Sequence, residues 1–254
     1  ITVIGGHHPS LAPQMCNDES IDIIVIGEGE LTLKELTDTY SRNLKADIKD
    51  IKGIAYREKT EFKINPPREL MDINALPDAA RHLTAKYRKK NLYFRASWRP
   101  TDCVISSRGC PYKCKFCGLW KINRCRYRYR NPDLIANEIE SIAEPYINFI
   151  DDNTLDNVPG AFELARILKE RRINKTYEIY GRSDTIVCHP QLVEELRQVG
   201  VKLILLGLES CNDEFLSSMS KRLSVENNKK AIKICHANDI EIVAYFIIDP
   251  SFDR

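Results

Sequence analysis

The chain opens on an apolar strand, Thr2-Val3-Ile4, that feeds the turn Gly5-Gly6-His7-His8-Pro9. Residues 21–26 (Ile-Asp-Ile-Ile-Val-Ile) are almost continuously apolar, the pattern of a buried strand in a parallel sheet. Gly27-Glu28-Gly29-Glu30 follows, and then Leu31, Leu33, Leu36 and Tyr40 support a helix. Residues 51–57 and 61–65 pattern as a hairpin around Lys59-Thr60. Residues 66–90 contain Pro66, Pro67 and Pro77 and read as a linker with a short helix. From 101 a strand–helix rhythm sets in. Strands are predicted at 103–107, 147–150, 177–180, 202–206 and 240–247, and helices at 131–142, 159–172, 189–198 and 224–238. The helix at 131 has Asn131-Pro132-Asp133 at its start, and the one at 189–198 stops before Gly200. Five β/α steps with short connections mean a parallel sheet with helices outside, either a barrel or an open doubly wound sheet. In both, the chemistry sits at the carboxyl ends of the strands.

Composition narrows the class. With 254 residues, 43% hydrophobic and 29% charged, the chain is an ordinary globular α/β protein of one large or two smaller domains. The greasiest stretches are strand-sized, so no transmembrane segment is predicted. A net charge of +2 argues against wholesale nucleic-acid binding. The chain starts at Ile1 inside an apolar strand and stops just after one, at Asp249-Pro250. The expectation is a fragment, truncated at both ends, with no signal peptide in view. Nine cysteines, unevenly spaced in a chain with an ample core, favour metal binding or catalysis over disulfides for the group at 103–125.

Three of them share one loop after the first strand of the repeat: Cys110-Pro-Tyr-Lys-Cys114-Lys-Phe116-Cys117. Three thiolates hold three irons of a cubane and leave the fourth open, whereas electron-transfer clusters use four cysteines. The competing reading is structural zinc, with Cys125 or a distant cysteine as fourth ligand, in an interaction module rather than an enzyme.

The C-x3-C-x2-C spacing, with Phe116 before the last cysteine, resembles the radical S-adenosylmethionine enzymes. That resemblance covers 101–254. It implies a partial (β/α)6 barrel lacking its last repeat, with Cys110, Cys114 and Cys117 binding a 4Fe–4S cluster whose open iron is chelated by S-adenosylmethionine. Other motifs fall where such enzymes contact that cofactor. Asp151-Asp152 follows the second strand, in a variant that resembles the cobalamin-carrying subgroup; its alternative is a helix-capping turn. Arg182 and Ser183 follow the third strand, with a structural ion pair as the alternative for Arg182. Gly207-Leu208-Glu209-Ser210 follows the fourth and resembles the family's Gly-x-Glu-Ser. Lys221 matches a lysine of the subgroup or is a solvated side chain. Ile247 and Ile248 stand near adenine contacts of the family, although Asp249-Pro250 departs from its usual ending there.

The first 70 residues resemble the carboxyl-terminal part of the Rossmann-like cobalamin-binding domain fused to many of these enzymes, joined by a linker at 71–100. The resemblance implies that Gly5, Gly6 and His7 border the nucleotide tail of cobalamin, and Gly27, Glu28 and Gly29 the neighbouring loop. His7 and His8 as plain turn residues are the alternative. The Asp-x-His-x-x-Gly motif that supplies a cobalt ligand is absent from these residues. Trp98-Arg99-Pro100, Leu119-Trp120-Lys121, Tyr127-Arg128-Tyr129-Arg130 and the stretch from Phe246 to Arg254 resemble the hopanoid C-3 methylase branch. The basic and aromatic alternation at 121–130 also fits a strand with one charged face, a phosphate contact, or RNA stacking. The resemblance implies a cytoplasmic methyltransferase, membrane-associated if its substrate is a lipid. It would act on an unactivated carbon of a lipid or other small molecule through a 5′-deoxyadenosyl radical and methylcobalamin, with flavodoxin or ferredoxin as electron donor. A rearrangement or cyclisation enzyme with the same cofactors, and a radical methylthiotransferase, are the other enzymatic readings.

Overall fold

The computed structural model describes residues 1–44, 46–90, 92–95 and 98–250. The carboxyl-terminal 251–254, part of the branch resemblance, lie outside the described residues. The chain divides into two compact units. One comprises Ile1–Asp72 with Cys117–Cys125, the other Ile73–Phe116 with the chain from Arg126 onward.

The first unit begins with β1 (Val3–Ile4), α1 (His7–Leu11), β2 (Ile23–Val25), α2 (Glu30–Arg42), β3 (Ile54–Glu58) and β4 (Glu61–Ile64). The sheet order is β1-β2-β3-β4, with β1 and β2 parallel and the other pairs antiparallel. The predicted hairpin is present: Glu58 pairs with Glu61, and Lys59 takes the left-handed φ of 57° in the turn. Val25, Ile54 and Tyr56 bury against Leu36 of α2. Helix α1 was not anticipated. His7 and His8 are its first residues, and Pro9 sits in its first turn, where a missing N–H leaves nothing unpaired.

The second unit holds α3 (Ala85–Arg88), β5 (Thr101–Val104) and β6 (Ser107–Arg108). After the excursion through α4 (Leu119–Ile122), which belongs to the first unit, it resumes with β7 (Arg128–Tyr129), α5 (Pro132–Ser141), β8 (Tyr146–Phe149), α6 (Val158–Glu170), β9 (Thr176–Gly181), α7 (Ser183–Cys188), α8 (Pro190–Gln198), β10 (Val201–Glu209), α9 (Asp213–Ser218), α10 (Val225–Ala237) and β11 (Glu241–Phe246). Its main sheet runs β11-β10-β9-β8-β5, all parallel. Neighbours in the sheet are neighbours in sequence, so there is no switch point. With the order always advancing in one direction, the usual right-handed crossover places the long helices on one face, the arrangement of a barrel rather than a doubly wound sheet. The core lies on that face, where Ile147, Phe149, Tyr177, Ile179, Ile204 and Leu206 meet α5, α6 and α8. Capping set the helix starts. Asn131, Asn157 and Ser224 each accept a backbone N–H from the first turn of α5, α6 and α10.

Three sequence expectations change. The strand predicted at 103–107 ends at Val104, and Ser107–Arg108 pairs instead with β7. The basic stretch 121–130 is not one strand: it passes from α4 through Arg124 and Cys125, at φ 52° and 56°, into β7. Arg130 at its end is buried. It donates to Glu138 and to the Ile105 carbonyl at 2.8 Å. The region between 66 and 100 is also more than a linker. Arg81 reaches Asp102, Glu138 and the Cys103 carbonyl, and Arg88 reaches Asp102 and Glu144. These contacts cover the outer edge of β5, which would otherwise present unpaired backbone groups. Among the described residues no helix is long and apolar enough to cross a membrane.

Tyr177 is 1% exposed, and among the described residues its hydroxyl has no hydrogen-bond partner beside a cavity of about 20 Å³. Tyr177→Phe is therefore expected within about 1 kcal/mol of the parent, or more stable, because no hydrogen bond is lost. Ile179→Ala should cost about 2–5 kcal/mol. Urea unfolding followed by circular dichroism compares the two; equal losses would mean that the hydroxyl is paired.

Candidate active site

In the second unit, the loop carrying Cys110 and Cys114 is tied to the carboxyl ends of three successive strands. At the end of β8, Asp151 accepts from the Ser106 and Ser107 amides at 2.8 and 3.0 Å and from the Ser106 hydroxyl. Asp152 accepts from the amide of Gly109 at 2.8 Å. Gly109 precedes Cys110 and has φ 88°, a conformation that favours glycine. The adjacent aspartates thus fix both the exit from β5 and the entry to the cysteine loop. Asp151 is 5% exposed with both oxygens committed, which makes it a positioning residue. Burial raises its pKa to about 6, against the pull of the Ser106 and Ser107 donors.

After β9, Arg182 forms a two-point ion pair with Asp184 at 3.1 and 3.0 Å and donates to the Lys221 carbonyl at 3.1 Å. Its guanidinium lies 3.5 Å from the ring centre of Tyr112, between the first two cysteines. Ser183, by contrast, is fully buried and donates to Asn228 at 2.7 Å.

After β10, Glu209 pairs with Lys221 at 2.8 Å, both side chains being 9% exposed. Lys221 is thus no solvated side chain. Its ammonium lies 5.6 Å from the ring centre of Phe116, and the Met219 carbonyl accepts from the Lys115 amide at 2.9 Å. The Gly-x-Glu spacing has a steric cause. Glu209 takes φ 61° at a break in the β10–β11 register, and its carboxylate folds back over Gly207. A Cβ on Gly207 would lie 2.3 Å from that oxygen and 2.9 Å from the lysine nitrogen. Ser210 is buried and accepts from the Asn212 amide at 3.0 Å, within its own turn.

The donor chemistry of the loop fits an iron–sulfur cluster: three thiols in eight residues, with Cys114 buried and Cys110 and Cys117 partly buried. Burial pushes the Cys110 thiol up to about 11; the Tyr112 amide and the Arg182 charge work against this. Cys117 opens the segment that clusters with the first unit. Among the described residues, no three His, Cys, Asp or Glu side chains converge closely enough to hold a metal ion, with Cys125 or without it.

In the first unit, a cleft of about 240 Å³ is lined by Ser10, Gly27, Glu28, Arg68, Lys121 and Arg124, among others. The Ser10 hydroxyl accepts from the Gly27 amide at 2.9 Å and donates to the Gly6 carbonyl at 2.6 Å. Glu28 accepts from the Met71 amide at 3.1 Å. Gly118 brings α4 against α1, since a Cβ there would lie 2.4 Å from Leu11. Of the residues singled out for cobalamin, Gly27 and Glu28 line this cleft, whereas Gly5, Gly6, His7 and Gly29 do not. Gly5 instead lets β1 approach Val25, 3.4 Å from its would-be Cβ.

The radical SAM superfamily pattern matches residues 104–249, more than half of the chain. The chain belongs to the radical SAM superfamily. It is 27% identical over 260 residues to the hopanoid C-3 methylase of Methylococcus capsulatus, a match covering 100% of this chain and 48% of that protein. It is 29% identical over 258 residues to the anaerobic magnesium-protoporphyrin IX monomethyl ester cyclase of Rubrivivax gelatinosus, covering 98% and 45%. The chain spans about half the length of the curated relatives it matches. Among solved structures, the cobalamin-dependent S-adenosylmethionine radical enzyme OxsB, with aqua-cobalamin and S-adenosylmethionine bound, shares the fold. Its TM-score is 0.78 at 20% identity, over 96% of this chain and 36% of that one.

Within this radical SAM chain, sequence motifs marked Asp152, Arg182, Glu209 and Phe116, which the fold brings to one loop. Tyr112, Asn228 and Met219 were missed, because their roles come from contacts with Arg182, Ser183 and Lys115, 45 to 104 residues away, rather than from local spacing. Two outcomes follow for stability. The folded state holds the Asp151 proton more tightly than the unfolded chain. Its contribution therefore favours folding at the acid end and is lost as pH rises from near 3.8 through about 6. The parent should lose stability relative to Asp151→Asn between about pH 4 and 6 in urea titrations; a flat difference would rule this out. Lys221→Met leaves Glu209 buried and unpaired and should cost about 3–5 kcal/mol, much of it recovered in the double variant with Glu209→Gln. Additive losses in that cycle would mean no coupling.

Proposed function

We propose that this chain is the catalytic part of a cobalamin-dependent radical S-adenosylmethionine enzyme that methylates an unactivated carbon of a lipid or secondary metabolite. The observation that carries the reading is the cysteine loop held by the ends of β8, β9 and β10 through Asp152, Arg182 and Lys221. Such anchoring ties the loop segment that carries Cys110 and Cys114 to the strand ends, as support for a cluster with one open iron requires. Cys110, Cys114 and Cys117 would hold the cluster. Arg182, Glu209 and Phe116 stand nearest to serve the cofactor's charged and aromatic parts. When bound, the cluster supplies the electron that cleaves S-adenosylmethionine, and cobalamin carries the methyl group.

Residues 1–70 would serve as the partial cobalamin-binding domain, with Gly27 and Glu28 in the cleft as the contacts with most support. The magnesium-protoporphyrin cyclase relative keeps cyclisation with the same cofactors as a second reading. Electron supply by flavodoxin or ferredoxin, and membrane association for a lipid substrate, belong to the same proposal.

Anaerobic reconstitution with iron and sulfide should give about four irons per chain, with broad absorption near 400 nm. Cleavage of S-adenosylmethionine to 5′-deoxyadenosine should follow reduction. Cys110→Ala, Cys114→Ala and Cys117→Ala should each abolish that cleavage, while Cys125→Ala keeps its iron. One zinc and no colour, or cleavage retained in all three variants, would end the reading. Methylated product formed only with cobalamin separates methyl transfer from cyclisation.

A further inference from the structure

The face of the main sheet opposite the helices carries a polar group that the loop chemistry does not use. Side chains alternate along each strand, and Val104, Ile147, Phe149, Tyr177 and Ile179 point to the helices. Cys103, Asn148 and Glu178 therefore point to the other face. They form one row, since Cys103 pairs with Asn148 and Asn148 with Glu178. Glu178 is 1% exposed and accepts from the Arg95 guanidinium at 2.7 Å. Arg95 also donates to the Tyr180 hydroxyl at 3.4 Å, and Tyr245 of β11 hydrogen-bonds it too. Its side chain is 38% exposed, so the guanidinium, with its five N–H donors, stands partly open to solvent above a buried carboxylate. Beside this pair, the Asn148 carboxamide oxygen is fully buried and has no hydrogen-bond partner among the described residues. The surroundings are apolar: Leu203 and Leu205 next in register are buried, and Val243 and Tyr245 stand open at 40% and 45%. Trp98 stacks on Tyr146 where β8 begins.

We infer that Arg95, held by Glu178 and flanked by Tyr180 and Asn148, recognises a hydroxyl group on an otherwise apolar substrate. The inference rests on the enzymatic reading above and names its substrate class. Three features select this chemistry. The Arg95–Glu178 pair is neutral as a unit, so a carboxylate or ammonium on the ligand would enter without a compensating charge. Arg95 offers N–H donors partly open to solvent, from which a hydroxyl oxygen accepts. Asn148 holds an unmet acceptor in the same row, which a hydroxyl proton satisfies and a carbonyl or ether does not. Glu178 is the positioning residue, since it fixes Arg95 without meeting solvent.

Cys103 reports on the site because its thiol is exposed in the same row, while Cys188 and Cys211 are exposed elsewhere. The metal-free full chain is titrated with 1-octanol, octanoate, octylammonium and 1-methoxyheptane, and iodoacetamide labelling at each cysteine is followed by mass spectrometry. Octanol should slow labelling of Cys103 and leave Cys188 and Cys211 unchanged. The other three probes should need about ten-fold higher concentration or more for the same protection. Arg95→Met should remove the preference for octanol, and Tyr180→Phe, a milder change, should reduce it. A merely structural Arg95 would lower the unfolding midpoint and leave the ratio between probes unmoved. Equal protection by all four probes, or protection of all three cysteines alike, would overturn the inference. Because the assay uses no cluster, loss of iron binding in reconstitution would fell the enzymatic reading without touching this result.

Discussion

The end of β5 sets the central constraint. Beyond Val104 the chain leaves the sheet, and the amides of Ser106, Ser107 and Gly109 lose the partners a continued ladder with β8 would supply. Buried amides without acceptors are costly, so the chain must bring acceptors to them. Asp151 and Asp152 do this from the neighbouring strand. The carboxylates are strong acceptors, and two in sequence reach three amides across one turn. The exit path of the chain is thereby fixed, and with it the starting point of the cysteine loop. The aspartate pair that sequence motif alone assigned to a cofactor is thus first a scaffold for the loop that precedes it.

The same logic explains why the charges around the loop come in buried pairs. Arg182–Asp184 and Lys221–Glu209 are both largely removed from water. A buried ion pair contributes little net stability, because desolvation offsets most of the attraction. What it supplies is a fixed direction. Arg182 is oriented by Asp184 and meets Tyr112 face-on; Lys221 is oriented by Glu209 and meets Phe116. Two aromatic residues of the loop therefore rest on cations whose own positions are set by carboxylates. Glu209 is further confined by its φ of 61° and by the glycine two residues before it, a strained arrangement of the sort that accumulates at functional sites.

Legibility in the sequence followed the range of the interactions. The strand–helix alternation was readable because periodicity is local, and Asn131-Pro132-Asp133 announced its helix in three residues; the caps Asn157 and Ser224 are local too and went unread. The spacing of the cysteines was readable for the same reason. Barrel against doubly wound sheet was not decidable from alternation, since it depends on strand order, and the family resemblance had to supply it. The stretch 121–130 misled because its period-two charge pattern ignores two left-handed residues and the demand of buried Glu138 for a cation. The segment from 66 to 100 looked like a linker because its prolines hid three arginines, Arg81, Arg88 and Arg95, whose partners lie far along the chain.

Those three arginines also bear on how the two faces of the sheet differ. The helix face is closed by apolar burial, which is non-directional and tolerates many sequences. The opposite face has apolar residues on β10 and β11 but polar ones on β5, β8 and β9, and the buried carboxylate of Glu178 is met by an arginine from outside the repeat. A face built only for stability would place Leu or Val at 148 and 178, as β10 does at 203 and 205. Retaining an unpaired amide oxygen and a buried glutamate there costs stability, and sites that bear such a cost are those where something other than folding is selected. The sheet thus separates its tasks by side: packing on the helix face, recognition on the other, and the strand ends between them holding the cysteine loop.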